Sequence, residues 1–146
     1  MGGVGIAAGE VCTALCFAVG TPSARPPPLV RDDPGIVKVV VGDDGRALYF
    51  SRACIPYLRD RADEAALEGR ILQHLGVYVY TRAALERWVD LPAHPLEKIE
   101  RLEQLRPLAA GITFGVAITD GPAYAGIDTE EDLADANARW AEISAR

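Results

Sequence analysis

The sequence predicts an α/β fold, and three observations carry that expectation. Val37, Val39 and Val41 alternate with Lys38 and Val40, which is the period of a strand. Gly42-Asp43-Asp44-Gly45 is a turn signal, and Arg46 to Ser51 make a second strand, so the two read together as a β-hairpin. Over the second half of the chain, predicted strands and helices alternate, which favours a sheet with flanking helices.

The remaining elements follow in order. Met1 to Gly20 carry a single charge, Glu10, and five glycines. A secretory signal needs a basic start, and a membrane span needs about 20 strongly apolar residues. The stretch therefore reads as a soluble strand or helix. Residues 21–35, with Pro26-Pro27-Pro28 at their centre, read as an extended linker. Residues 57–70 are charged and read as a loop with one helical turn. Val77 to Thr81 mixes aromatic and β-branched residues and predicts a strand. In the helix that follows, Leu85, Trp88 and Val89 share a face, and Pro92 and Pro95 interrupt it. Pro95 suits the first position of the next helix. There Leu96, Ile99, Leu102, Leu105 and Leu108 recur at every third residue. Such a row drifts roughly 60° per step around a helix, so this helix is expected to be buried on more than one side. Pro107 should strain or end it. Ile112 to Thr119 predicts a strand and Gly121-Pro122 a loop. The last helix is expected to begin near Asp128, with Leu133, Ala136, Trp140 and Ile143 as its apolar stripe.

Bulk properties narrow the function. The chain has 146 residues, the size of one domain, and at 49% hydrophobic and 25% charged it is ordinary globular material. A net charge of -6 argues against a general nucleic-acid binder, which needs a basic footprint. A mononucleotide or a sugar acid stays open, because local cations hold those. Cys12, Cys16 and Cys54 cannot make a disulfide framework, and a reducing cytosol fits them. Cys12 and Cys16 have no matching Cys/His pair for zinc. GxGxxG before a helix, a P-loop, HExxH and GxSxG are all absent.

The chemistry-bearing residues are few. Arg52 follows a strand, with Pro56 soon after. Its guanidinium fork matches carboxylate or phosphate oxygens, although an arginine at a strand end is often a surface or ion-pair residue. Arg59 and Arg61 lie in the charged loop and read as solvated. His74 and Tyr78, in His74-Leu75-Gly76-Val77-Tyr78, could donate hydrogen bonds to hydroxyls or a carboxylate, or simply pack. Glu103-Gln104, flanked by leucines, could grip a polyol, or lie on a solvated face where Glu103 pairs with Arg106. Asp128 is a good helix N-cap, with Glu131 completing a capping-box-like pattern. It is equally a hard oxygen ligand suited to Mg²⁺.

Taken in order, several stretches resemble the 3-deoxy-manno-octulosonate (Kdo) cytidylyltransferases. They are Asp33-Pro34-Gly35-Ile36-Val37-Lys38-Val39-Val40, Ala47 to Pro56, His74 to Tyr80, Pro95-Leu96-Glu97, Leu102 to Arg106 and Gly126 to Leu133. The resemblance covers residues 33–146, as the C-terminal, sugar-binding and dimerisation part of that domain; residues 1–32 match poorly. It implies a partial Rossmann-like nucleotidyltransferase sheet with flanking helices and a β-hairpin subdomain. It implies an enzyme family that joins CTP and Kdo to CMP-Kdo and pyrophosphate for lipopolysaccharide synthesis in the cytoplasm, as a homodimer using Mg²⁺. Arg52, His74, Tyr78, Glu103 and Gln104 are then expected to bind the sugar acid, Arg59 with less support, and Asp128 to hold the metal. No membrane or nucleic-acid partner is implied.

One departure matters. The family's N-terminal half brings a phosphate loop rich in Arg and Lys and a segment with a metal-binding aspartate, and neither is found here. Gly42-Asp43-Asp44-Gly45 and Asp120-Gly121-Pro122 are the nearest sequences and sit in the wrong places. CTP binding is therefore expected only if that half is supplied, and the isolated chain is expected to be inactive. The alternatives are a non-catalytic sugar-acid-binding or dimerisation module, and a cytidylyltransferase for another acidic sugar.

Overall fold

The computed structural model describes residues 11–18, 32–67, 72–119, 127, 130–140 and 144. Its strands are β1 (Val11–Ala18), β2 (Lys38–Val41), β3 (Ala47–Ser51), β4 (Leu72–Tyr80) and β5 (Thr113–Thr119). Its α-helices are α1 (Arg82–Asp90), α2 (Pro95–Glu100), α3 (Leu105–Ala109) and α4 (Glu130–Ala138), and a 3₁₀ helix covers Arg61–Leu67. The strands form one mixed sheet in the order β3-β2-β4-β1-β5. β1 runs parallel to β5 and antiparallel to β4. The α/β expectation holds, and the segment near the N-terminus is a strand inside the sheet.

The expected hairpin is β2–β3, with Val39 opposite Phe50 and Lys38 opposite Ser51. Its turn closes through Gly45 N donating to Gly42 O at 3.0 Å. The hairpin tip also reaches the far edge of the sheet. Val116 N donates to Gly45 O at 2.9 Å, and Arg46 bridges to Gly115. Part of the outer edge of β5 is thereby paired, which blunts an otherwise open strand.

Strand β4 begins at Leu72, five residues before the expected start at Val77. The reason is an irregularity that hides the period. Leu15 pairs with Val77 while the next residue of β1, Cys16, pairs with His74, so Leu75 and Gly76 are extra on β4. Gly76 makes this possible with φ 72°, in the left-handed region. Two extra residues preserve side-chain parity, so Leu72, His74, Tyr78 and Tyr80 lie on one side of the strand.

That side is the core. It comprises Val39, Ala47, Phe50, Leu72, Ala84, Trp88, Leu102, Leu105, Ile112, Phe114 and Val116. Helix α1 starts where Thr81 Oγ1 accepts from Ala84 N at 3.2 Å, an N-cap bond. It buries Ala84 and Trp88, one turn apart; of the predicted face Trp88 is buried, while Leu85 and Val89 are 44% and 70% exposed. Trp88 instead meets Tyr80, Phe114 and Tyr78 edge-on, at ring-centroid distances of 5.3, 5.9 and 6.1 Å.

The single leucine-rich helix predicted from Pro95 is two short helices. α2 opens with a reciprocal cap: Leu96 N donates to His94 Nδ1, and His94 N to Glu97 Oε2, both at 3.2 Å. It ends when Arg101 enters the left-handed region at φ 55° and Leu102 N closes back onto Glu97 O. Pro107 neither strains nor ends a helix. It lies in the first turn of α3, where no intrahelical N–H is needed, and is buried. Leu102 and Leu105 are core, but Ile99 is 77% exposed, because the break removes the continuous surface that the triplet row assumed. α4 begins at Glu130, and the expected stripe is not covered: among its described members Leu133 and Trp140 are exposed and Ala136 is half-buried. Ile143 lies outside the described residues.

Gly76 gives a direct test of the β4 irregularity. A Cβ there meets nothing within 4 Å, so only backbone strain opposes a side chain. Gly76→Ala should lower unfolding stability by about 1–2 kcal/mol. Urea titration measures this; an unchanged midpoint would mean that the left-handed residue is not where the strand is irregular.

Candidate functional site

The end of β3, which carries Arg52, is held by side chains from other elements. Its backbone is gripped from two sides. Glu100, the last residue of α2, accepts from Ser51 Oγ at 2.6 Å and from Arg52 N at 3.0 Å. On the other side, Lys38 Nζ donates to Arg52 O, and also to Asp33 O and Ile36 O, each at 2.7 Å. Lys38 is only 1% exposed, and burial lowers its pKa from the ordinary lysine value, partly opposed by Cys54, Asp33 and Asp32. Three carbonyl acceptors match the three donors of an ammonium.

The Arg52 side chain is held as firmly. Nε donates to Glu100 O at 2.8 Å, and the terminal nitrogens to Pro34 O at 3.0 Å and Arg101 O at 3.5 Å. Three of the five N–H directions of the guanidinium are thus spent on backbone carbonyls. Among the described residues the rest of the fork meets no other acceptor, and it faces no carboxylate partner.

His74 and Tyr78 form a second group. Their rings lie 5.0 Å apart, and His74 also meets Phe50 edge-on at 5.2 Å, a residue adjacent in sequence to Ser51-Arg52. Burial pushes the His74 pKa down to about 4, so the imidazole is neutral at pH 7, with one donor and one acceptor nitrogen. His74 Nε2 is buried and has no hydrogen-bond partner among the described residues.

Glu103 and Gln104 are on the turn between α2 and α3, not on a helix, and they diverge. Glu103 is exposed, whereas Gln104 is 1% exposed with its Nε2 buried and unpartnered among the described residues. Arg106 does not form the expected pair with Glu103. It turns to Glu97, with Nε 3.5 Å from Oε2, and donates to Leu91 O. Arg59 lies exposed in the loop after β3. Asp128 lies outside the described residues, so its predicted metal role has no geometry. Among the described residues no three His, Cys, Asp or Glu side chains gather as a metal site.

Sequence reasoning missed Ser51, Glu100 and Lys38. Lys38 had a signal: a lone cation within the run Ile36 to Val41. Glu100 had none, because the helix end that it occupies is visible only in the structure.

A family model described as cytidylyltransferase matches residues 32–114. The chain belongs to the cytidylyltransferase family. Its curated relatives are more specific in name. A 3-deoxy-manno-octulosonate cytidylyltransferase of Gemmatimonas aurantiaca is 52% identical over 134 residues, which is 90% of this chain and 50% of that protein. One from Acidobacterium capsulatum is 54% identical over 101 residues, 69% of this chain and 39% of that protein. The chain thus spans about half the length of the curated relatives it matches. Among solved structures, CMP:2-keto-3-deoxy-manno-octonic acid synthetase complexed with CTP superposes with a TM-score of 0.72 at 35% identity. The match takes in 90% of this chain and 49% of the other.

For this cytidylyltransferase chain the buried imidazole makes a pH prediction. The folded value, about 4, lies below the unfolded value of about 6.5. The unfolded state therefore binds the proton first, and stability falls as pH drops from about 6.5 towards about 4. The loss from His74 should not exceed about 3 kcal/mol, and His74→Phe should flatten that part of the curve. Urea midpoints measured between pH 7 and pH 4 test this; the same slope in both proteins would contradict it.

Proposed function

We propose that this chain is the sugar-acid side of a Kdo cytidylyltransferase, the enzyme that joins CTP and Kdo to CMP-Kdo with release of pyrophosphate. The observation that carries the reading is the 52% identity over 134 residues with a protein of that name. Two features of the fold support it. His74 Nε2 and Gln104 Nε2 are buried polar atoms without partners among the described residues, and burying such atoms costs about 1–3 kcal/mol each. A polyol acid would supply acceptors and donors to both. Arg52 supplies a fixed cation whose remaining N–H groups suit a carboxylate.

In this reaction a sugar hydroxyl attacks the α-phosphorus of CTP and pyrophosphate leaves. The residues of this chain orient the sugar: Arg52 sets the carboxylate, while His74, Tyr78, Gln104 and Glu103 engage hydroxyls. Proximity alone can lower such a barrier substantially. Bound Mg²⁺ would offset phosphate charge, and Asp128 is the ligand this chain would bring. Among the described residues no cluster of His, Cys, Asp or Glu completes a metal site. Dimerisation belongs to the same reading, with exposed Leu85, Val89, Leu133 and Trp140 as apolar surface available to it.

A second reading rests on what the sequence lacks. Neither the Arg/Lys phosphate loop nor its companion acidic segment is found in these 146 residues, so the chain by itself would bind the sugar acid without turning it over.

Gln104→Leu separates these ideas from a purely structural role. Removing an unpartnered buried amide should leave the melting temperature unchanged or raise it, while Kdo affinity in calorimetry falls at least about tenfold, or ~1.4 kcal/mol. Equal binding by both proteins, or no heat with the unaltered chain at millimolar Kdo, would refute the site. With CTP, Kdo and Mg²⁺ the chain alone should form no CMP-Kdo; robust turnover would refute the binding-only state.

A further inference from the structure

Glu100 carries an inference that rests on the sugar-acid reading of Arg52 and goes beyond it. The residue contacts the strand end with both of its chemical ends. Its carboxylate takes the Ser51 hydroxyl and the Arg52 backbone N–H, at 2.6 and 3.0 Å. Its own carbonyl takes Arg52 Nε at 2.8 Å. One residue thereby fixes where the arginine backbone stands and in which direction its side chain leaves.

The position is a costly one for a glutamate. It is the last residue of α2, where the helix already presents unsatisfied carbonyls and disfavours negative charge. Its partners are 48 and 49 residues away in sequence, so no local preference selects it. The carboxylate has a second effect nearby: after desolvation, it is the other cause that raises the pKa of Tyr49, two residues before Ser51.

We propose that Glu100 is the positioning residue for Arg52 in the sugar-acid site. Its carboxylate ties α2 to the end of β3, and this tie presents the free part of the guanidinium fork to the ligand. Ser51 is the intermediate, since its Oγ donates to Glu100 and accepts from Ala53 N at 3.0 Å. The chain leaving the strand is therefore turned by the same hydroxyl.

The test uses the full chain with Glu100→Ala, Glu100→Gln and Ser51→Ala. Two readouts are taken on each protein that melts cooperatively: the exchange rate of the Arg52 Nε–H by ¹⁵N-edited NMR, and Kdo affinity by calorimetry. The unaltered protein should show a slowly exchanging Nε–H. Glu100→Ala should speed that exchange at least about tenfold and weaken Kdo at least about tenfold. Glu100→Gln, which keeps one acceptor oxygen, should recover part of both, and Ser51→Ala should fall between. Unchanged Nε–H exchange in Glu100→Ala would overturn the proposal, and so would faster exchange with unaltered Kdo affinity. If the unaltered protein takes no Kdo, the sugar reading fails by itself, and the Nε–H rates still decide whether Glu100 holds Arg52.

Discussion

The buried ammonium of Lys38 is the interaction on which the rest of this arrangement depends. It draws the carbonyls of Asp33, Ile36 and Arg52 onto one point, joining the segment before β2 to the chain leaving β3. Burying a lysine is expensive unless its donors are satisfied, and here three carbonyls satisfy them. The acids Asp32 and Asp33 add favourable charge. Because Pro34 belongs to the same segment, the bond to Asp33 also sets where Pro34 O meets the Arg52 guanidinium. Without that convergence, the arginine would keep its contacts to α2 and lose those on its other flank.

The sheet serves the same end by a different route. An extra pair of residues in β4, accommodated at Gly76, lets His74 and Tyr78 stay on the core side while the strand changes register against β1. Phe50 then lies between the two groups, with its ring against His74 and its chain continuing into Ser51-Arg52. The neutral imidazole and the fixed cation are thus linked through one strand, β3, by way of Phe50. Precision of this kind comes from packing and second contacts rather than from the ligand-facing residues alone.

The sequence was readable wherever one period held over several residues. The β2–β3 hairpin, β5 and a helix after Tyr80 were all legible, because alternation or helical spacing was unbroken there. The failures have physical causes. β4 extends beyond the predicted Val77 to Thr81 because the irregularity at Gly76 breaks the alternation inside the strand. The long helix from Pro95 was overextended because its ending uses Arg101 in the left-handed region, with no glycine to announce it. Leu85 and Val89 share a face with buried Trp88 yet are exposed, because the pattern shows that a stripe exists, not how it is turned towards the sheet. Of the candidate site, Arg52, Arg59, His74, Tyr78, Glu103 and Gln104 rest on a family resemblance, and the chain belongs to the cytidylyltransferase family. Their supports were not legible: Glu100 reaches Arg52 across 48 residues, and no local pattern encodes such a contact. Asp128 lies outside the described residues and keeps only its sequence argument.

The central claim is that Lys38 locks the strand end that carries Arg52. Lys38→Met tests it most directly, since methionine keeps the length and removes all three donors. Hydrogen bonds to a charged group contribute about 1.5–3 kcal/mol, and orphaned carbonyls add their own cost. The account predicts a loss of about 2–4 kcal/mol in urea unfolding, accompanied by faster amide exchange at Ser51 and Arg52. A methionine variant of unaltered stability, with those amides equally protected, would contradict it.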